Sequence, residues 1–248
     1  MDQGSIHPGT STGRRVAFFG GSFDPPHLGH LAVARAARAA LGLDAVLFAP
    51  VGAQPLKPQG STASFADRLA MTRLAIAGEP GFAVSLADAP KPSGAPNFTL
   101  ETLLGLRAEL PAGGALFCLM GADSFFALRI WHRAAEIPFA APLIVASRPG
   151  QPLDGLKAGL PEGLTMESAP EVALPDSGVG VRSYLLLNPA GNRVPFYLLL
   201  GLHVEISASE IRAQIRDLVY ATAKTAGSGP ALLPSSVMDY VRSHGLYR

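Results

Sequence analysis

The stretch VAFFGGSFDPPHLGH, Val16 to His30, decides the reading of this chain. Val16 to Gly20 is a short apolar run closed by Gly20 and Gly21, and an Ala-rich pattern with helical spacing follows from Leu28 to Leu41. The segment therefore reads as strand, tight loop, helix. Two glycines after a strand let backbone amides approach an anion, and the positive end of the next helix points into the same space. A phosphate site is the direct implication. His27 and His30 are three apart, so at the start of a helix they share a face and both reach an oxyanion at its mouth. An isolated HxxH would read as a satisfied helix start; the glycine pair and the FDP turn beside it favour chemistry. Zinc finds no support here, because the spacing is not HExxH and no third ligand is evident.

Outward from this unit the pattern repeats. Strands are predicted at Ala45 to Ala49, where Pro50 stops the run, at Phe82 to Leu86, at Leu116 to Met120 and at Leu143 to Ser147. Helices are predicted at about Phe65 to Ala77, with Leu69, Leu74 and Ile76 on the apolar side, at Leu100 to Glu109, and from Asp123 onward. Alternating strands and helices imply an α/β fold, a Rossmann-like doubly wound parallel sheet covered on both faces. Ligands in such sheets bind beyond the carboxyl ends of the strands, where the strand order reverses. The loops beginning at Gly20, Pro50, Gly121 and Ser147 all belong to that edge.

Residues 1–14 read as a disordered tail, and 15–248 as a single domain. Gln151 to Pro195 carries six prolines and a weak apolar pattern, so an inserted, loop-rich segment with a few short strands is expected there. Order returns with Phe196 to Ile206, followed by a helix opened by Ser207 or Ser209, and the chain ends with a helix after Pro234, giving C-terminal helices. With 48% hydrophobic and 16% charged residues the chain can bury a core. A net charge of +1 offers no basic field for a nucleic-acid polymer. The single cysteine, Cys118, permits a reducing compartment, and no apolar run approaches the length of a membrane helix, so a cytoplasmic protein with no membrane partner is expected.

Further segments carry chemistry. ISASEIR, Ile206 to Arg212, groups two hydroxyls and an arginine at a helix start; by itself it is an ordinary cap. In GADSFFALRIW, Gly121 to Trp131, Asp123 is placed to cap a helix and the sole tryptophan follows eight residues later, an aromatic face suited to an electron-poor ring or to a core. NFTLETL, Asn97 to Leu103, reads as a helix start. Lys57 in PVGAQPLKP can bind phosphate.

GGSFDPPHLGH resembles the signature of the HxGH nucleotidyltransferase superfamily, and within it the bacterial nicotinate mononucleotide adenylyltransferases. ISASEIR is similar to that superfamily's ISxTxxR motif with Ser209 in the threonine position, GADSFFALRIW to the family's GxDxxxxxxxW pattern, and NFTLETL to its SYTxDTL segment, with Phe98 for tyrosine and Glu101 for aspartate. SRPG, Ser147 to Gly150, looks like the family's RRPG, and LPSSVMDYVRSHGLYR matches its C-terminal helix. PVGAQPLKP departs from the family's PHK or PHR, with Leu56 where histidine is usual.

The resemblance implies transfer of AMP from ATP to nicotinate mononucleotide, giving nicotinate adenine dinucleotide and pyrophosphate, with Mg²⁺ accompanying ATP and no metal held by the protein's own side chains. It gives His27 and His30 the catalytic role at the α-phosphate. Ser207, Ser209 and Arg212 meet the β and γ phosphates, and Gly20, Gly21, Ser22, Phe23, Lys57, Gly121, Asp123 and Arg148 complete the ATP side. Phe98, Thr99, Asp123 and Trp131 form the pyridine nucleotide side. Two other readings stay open: a pantetheine-phosphate adenylyltransferase, which shares both phosphate motifs, and a nucleotide-binding module that has lost catalysis.

Overall fold

Along β1 (Arg15–Gly21) of the computed structural model, Val16 and Phe18 pack on one side of the sheet and Ala17 and Phe19 on the other, the period-two alternation of a strand buried on both faces. The structure describes residues 13–56, 59–147, 153–169, 177–202, 206–220 and 232–248. The tail residues 1–12, together with Lys57, Arg148 and parts of the 151–195 segment, lie outside them.

β1 pairs in parallel with β2 (Ala45–Pro50) on one side and with β4 (Ala115–Gly121) on the other, with β3 (Phe82–Val84) beyond β2 and β5 (Leu143–Ala146) beyond β4. The chain leaves β1 toward β2 and later returns to β1's other side, so the strand order reverses between β1 and β4. Helix α1 (Leu28–Leu41) covers one face, packing Leu31, Ala34, Ala37 and Leu41 against Phe19, Val46 and Leu119. It stops at Gly42, whose φ of 57° ends the helix while its N–H donates to the Arg38 carbonyl. Helices α3 (Thr99–Glu109), α4 (Ala122–Ala127) and α5 (Ile137–Ala140) cover the opposite face through Leu100, Leu103, Phe125 and Ile137, joined by Leu128 just after α4.

The 151–195 segment, expected to be loop-rich with a few short strands, does hold strands but is more regular than that. It contains α6 (Leu153–Ala158), β6 (Thr165–Ser168) and the eight-residue β7 (Gly180–Leu187), and the last strand, β8 (Arg193–Leu200), begins inside it. β8 pairs in parallel with β5, then β7 and β6 add antiparallel strands, giving among the described residues one eight-stranded sheet ordered β3-β2-β1-β4-β5-β8-β7-β6. The prolines misled for a physical reason. Pro189 stands in the β7–β8 turn, where Asn188 Oδ1 accepts from the amides of Ala190 and Asn192, and Pro195 precedes Phe196, where pairing with β5 begins.

A third apolar cluster joins α2 (Phe65–Ala75), α7 (Ala208–Tyr220) and α8 (Ser235–Ser243) through Met71, Ile211, Ile215, Val237 and Val241. The inner face of α2 is Arg68, Met71, Thr72 and Ala75, with Leu74 exposed, so the predicted apolar side is rotated. Arg68 explains the rotation: its buried guanidinium donates to the carbonyls of Ser22, Val51 and Ala63 at 2.7, 2.8 and 3.3 Å. It ties three loops at the carboxyl edge of the sheet.

Candidate active site

After β1 the chain turns through Ser22 to Pro26. Phe23 takes a left-handed φ of 47° and is 1% exposed, its ring held edge-on against Phe19 and packed against Phe48. A Cβ on Gly20 would stand 2.7 Å from Phe18 Cζ, so this position has no room for a side chain. The turn delivers His27 to the mouth of α1 and His30 one turn inside. Their rings stack at 3.6 Å between centroids, and His30 lies among the edges of Phe19 and Phe23.

Burial pushes the His27 imidazole down to about 4; burial, and then the neighbouring His27, hold His30 well below the usual histidine range. Both are neutral near pH 7. His30 Nδ1 accepts from the His27 backbone N–H at 3.1 Å, which leaves the proton of the neutral ring on Nε2 as a donor. His27 Nδ1 is buried with no hydrogen-bond partner among the described residues. An anion at the helix mouth would satisfy the pair.

Two cavities meet here. The larger, of about 870 Å³, is lined by Gly20, Gly21, Ser22, Phe23, His27, His30, Gly121 and Asp123, and across the gap by Ser207, Ser209 and Arg212. Arg212 donates to the Asp24 carbonyl at 2.6 Å and to Ser209 Oγ at 3.1 Å, bridging two segments 188 residues apart. Helix α7 begins at Ala208, so Ser207 precedes it and Ser209 lies within it. Asp123 is not a cap: Gly121 holds that place, and Asp123 sits in the first turn of α4.

The smaller cavity, of about 390 Å³, is lined by Phe18, Phe98, Thr99, Met120, Ile130 and Trp131, and shares Gly20, Gly21, Ser22 and Asp123 with the first. Phe98 precedes α3, which starts at Thr99 with no side-chain cap, and both residues line this space. The Phe98 ring lies 4.5 Å from that of His132.

Several lining residues escaped the sequence reading: Asp88, Asn97, Gln54 and His132. Asp88 is 5% exposed; burial raises its carboxyl, against the pull of the Thr102 hydroxyl donating to Oδ1 at 2.6 Å. Asn97 accepts from the Ala53 amide and donates to the Ala89 carbonyl, closing the β2 loop over the cavity. Only Asn97 and His132, neighbours of singled-out residues, carried any signal. Lys57 and Arg148 lie outside the described residues. Among those described, no group of three or more His, Cys, Asp or Glu side chains gathers to hold a metal, and no helix is long and apolar enough to cross a membrane.

Two segments from opposite ends of the chain, one with His27 and His30 and one with Ser207, Ser209 and Arg212, line one cavity over the switch point of a parallel sheet, an arrangement of the α/β nucleotidyltransferase class. The Cytidylyltransferase-like family matches residues 18–214. Over 95% of this chain and 97% of its own length, a protein of Gloeobacter violaceus is 37% identical, and one of Stenotrophomonas maltophilia is 39% identical over 93% and 96%; both bear the name "Probable nicotinate-nucleotide adenylyltransferase". The chain belongs to the nicotinate-nucleotide adenylyltransferase family. Its fold also matches that of the Plasmodium falciparum nicotinic acid mononucleotide adenylyltransferase complexed with NaAD, with a TM-score of 0.62 at 15% identity over 94% of this chain and 97% of the other.

Proposed function

We propose that the protein transfers the adenylyl group of ATP to nicotinate mononucleotide, forming nicotinate adenine dinucleotide and releasing pyrophosphate. The carrying observation is that a polar cavity and an apolar cavity join at Gly20, Gly21, Ser22 and Asp123, so phosphates entering from either side converge on one floor. A phosphate oxygen of nicotinate mononucleotide attacks the α-phosphorus of ATP; the new P–O bond forms as the bond to the β-phosphate breaks, and pyrophosphate carries away that electron pair. No covalent enzyme intermediate is required. Positioning and charge stabilisation do the work.

His27 and His30 take the α-phosphate. His30 Nε2–H donates to the charge that develops there, and His27 Nδ1 finds in the nucleotide the partner it lacks. Ser207, Ser209 and Arg212 hold the β and γ phosphates, while Phe23, Gly121, Lys57 and Arg148 belong to the ATP side. Mg²⁺ arrives on the triphosphate as part of the substrate and neutralises phosphate charge. Trp131 and Phe98 flank the pyridine ring, Thr99 opens the helix whose positive end favours the nicotinate carboxylate over an amide, and Asp123 meets a ribose hydroxyl. We place the reaction in the cytoplasm, in keeping with a chain whose one cysteine is buried and unpaired.

Pyrophosphate release with MgATP tests the proposal, comparing nicotinate mononucleotide, its amide analogue and phosphopantetheine. Preferential turnover of the nicotinate compound is the expected result. Turnover of phosphopantetheine alone would keep the phosphate site and discard the pyridine pocket, and binding of ATP without turnover would leave a nucleotide-binding module.

A further inference from the structure

We propose that residues 232–248 clasp the catalytic loop at two points, with Tyr247 as the residue that positions the histidine pair; the inference rests on the nucleotidyl-transfer reading above. Asp24 stands three residues before His27 in the loop and is 5% exposed. A buried carboxylate is tolerated where donors replace its water. Three do so: the Thr62 amide donates to Oδ2 at 2.6 Å, and the Ala63 amide and the Tyr247 hydroxyl donate to Oδ1 at 3.1 and 2.8 Å.

The hydroxyl is delivered by a backbone in a region that side chains avoid. Tyr247 has φ 62°, and its ring is 6% exposed within the α2, α7 and α8 cluster, while the Leu246 amide donates to the Val241 carbonyl at the end of α8. At the other end of the segment the Leu232 carbonyl accepts the Leu28 amide at 2.9 Å, the first N–H of the helix whose mouth carries both histidines. The loop is thus gripped at Leu28 by Leu232 and at Asp24 by Tyr247, with Arg68 holding Ser22.

This grip bears on catalysis as well as stability because of Arg212. That side chain, on the far wall of the phosphate cavity, donates to the carbonyl of the same Asp24. A shift of Asp24 therefore moves His27 and Arg212 together, the two sides between which a triphosphate must fit. Burial, then the Asp24 charge and the hydrogen bond to it, raise the Tyr247 phenol, so the hydroxyl stays protonated and the contact persists across the working pH range.

Tyr247→Phe in the full chain removes the donor and keeps the ring. The expected result is a fall in kcat of about tenfold with KM for nicotinate mononucleotide within about twofold, since a displaced loop spoils the transition-state geometry on the phosphate side alone. ATP affinity, measured by calorimetry without any turnover, is expected to fall several-fold in the same variant. Leu246→Ala is the control: it removes packing from the same segment and leaves the hydroxyl, so it lowers the melting temperature yet keeps the wild-type kcat well below that temperature. Adding Tyr247→Phe to Asp24→Asn is expected to cost less than the two single losses combined. Wild-type kcat and ATP affinity in Tyr247→Phe would overturn the proposal, as would an equal loss of kcat in Leu246→Ala. A wild-type protein that binds ATP without turning over would break the functional reading, and the ATP affinities would still decide the clasp.

Discussion

The two cavities share a floor and are held open by different forces. Around the phosphate side the supporting contacts are buried and half-buried hydrogen bonds, most of them between distant segments: Arg68 to three carbonyls, Arg212 and Tyr247 to Asp24, and, within the helix start itself, the His27 amide to His30. Around the pyridine side the walls include rings just before α3 and in the α4–α5 connection, and the buried polar groups, Asp88 and Asn97, serve the loops behind them. A transferring phosphoryl group needs donors fixed before charge develops, whereas a flat ring needs shape and dry surface. The two sides should then fail differently when cut.

The sharpest break is His30→Ala. His30 lines the phosphate cavity and not the smaller one, so its loss should lower kcat by about 10³-fold, the scale of a lost preorganised hydrogen-bond donor, and leave KM for nicotinate mononucleotide nearly unchanged. Steady-state pyrophosphate release checks this; an unchanged kcat would remove His30 from the chemistry. Trp131→Ala cuts the other side. KM for the pyridine nucleotide should rise about tenfold while KM for ATP stays within a factor of about two, because aromatic contacts of this kind contribute about 1 kcal/mol beyond their buried area. Equal effects on both substrates would erase the division between the cavities.

The unequal construction also explains what was legible in the chain. The convergence on the larger cavity was legible because the residues that anion binding draws on stand in local order: glycines after a strand, histidines at the next helix, Ser and Arg at another helix start. Gly20, His27, His30 and Arg212 could be read that way. Their supports could not, since Asp24, Arg68 and Tyr247 gain meaning only when segments up to 223 residues apart meet; Arg68 even sat in a helix whose apolar side was expected to be leucine and isoleucine. On the pyridine side Trp131 was conspicuous as the one tryptophan, but Asp88 had no periodic context. The β7–β8 hairpin was missed because its prolines were weighed by number instead of by place. Two apolar runs around Asn188-Pro189-Ala190-Gly191-Asn192 were the better signal.

A gentler probe of the phosphate side uses its buried imidazoles. The His27 pKa is about 4 in the folded protein against 6.5 for the free side chain, so the unfolded chain takes up protons first as pH falls. The stability associated with the neutral ring is complete above about pH 6.5 and is lost on descending toward pH 4, on the order of 3 kcal/mol. Bound phosphate reverses the balance by favouring imidazolium. ATP binding near pH 5.5 should therefore draw protons from buffer, visible as a calorimetric heat that changes with the buffer's ionisation enthalpy, and His27→Gln should reduce that uptake. Nicotinate mononucleotide, seated mainly on the apolar side, should show less of it.

The smallest effect probes how the pyridine side reads charge. Asp88 lines this cavity, is held away from water, and has its carboxyl raised by burial, so a negative charge there is already costly. A nicotinate carboxylate entering the same cavity meets that charge as repulsion, partly offset by the positive end of α3, while the amide analogue meets neither. Asp88→Asn keeps an acceptor for the Thr102 hydroxyl and removes the charge. Selectivity for the acid over the amide mononucleotide, as the ratio of their kcat/KM values, should then rise by a factor of about three, the scale of a charge interaction partly offset by a helix end. The ATP parameters should hold still, because Asp88 does not line the phosphate cavity. A selectivity that fell instead would mean that the Asp88 carboxylate orders the β2 loop, whose Gly52 amide donates to the Asp88 carbonyl at 2.7 Å, more than it repels the substrate.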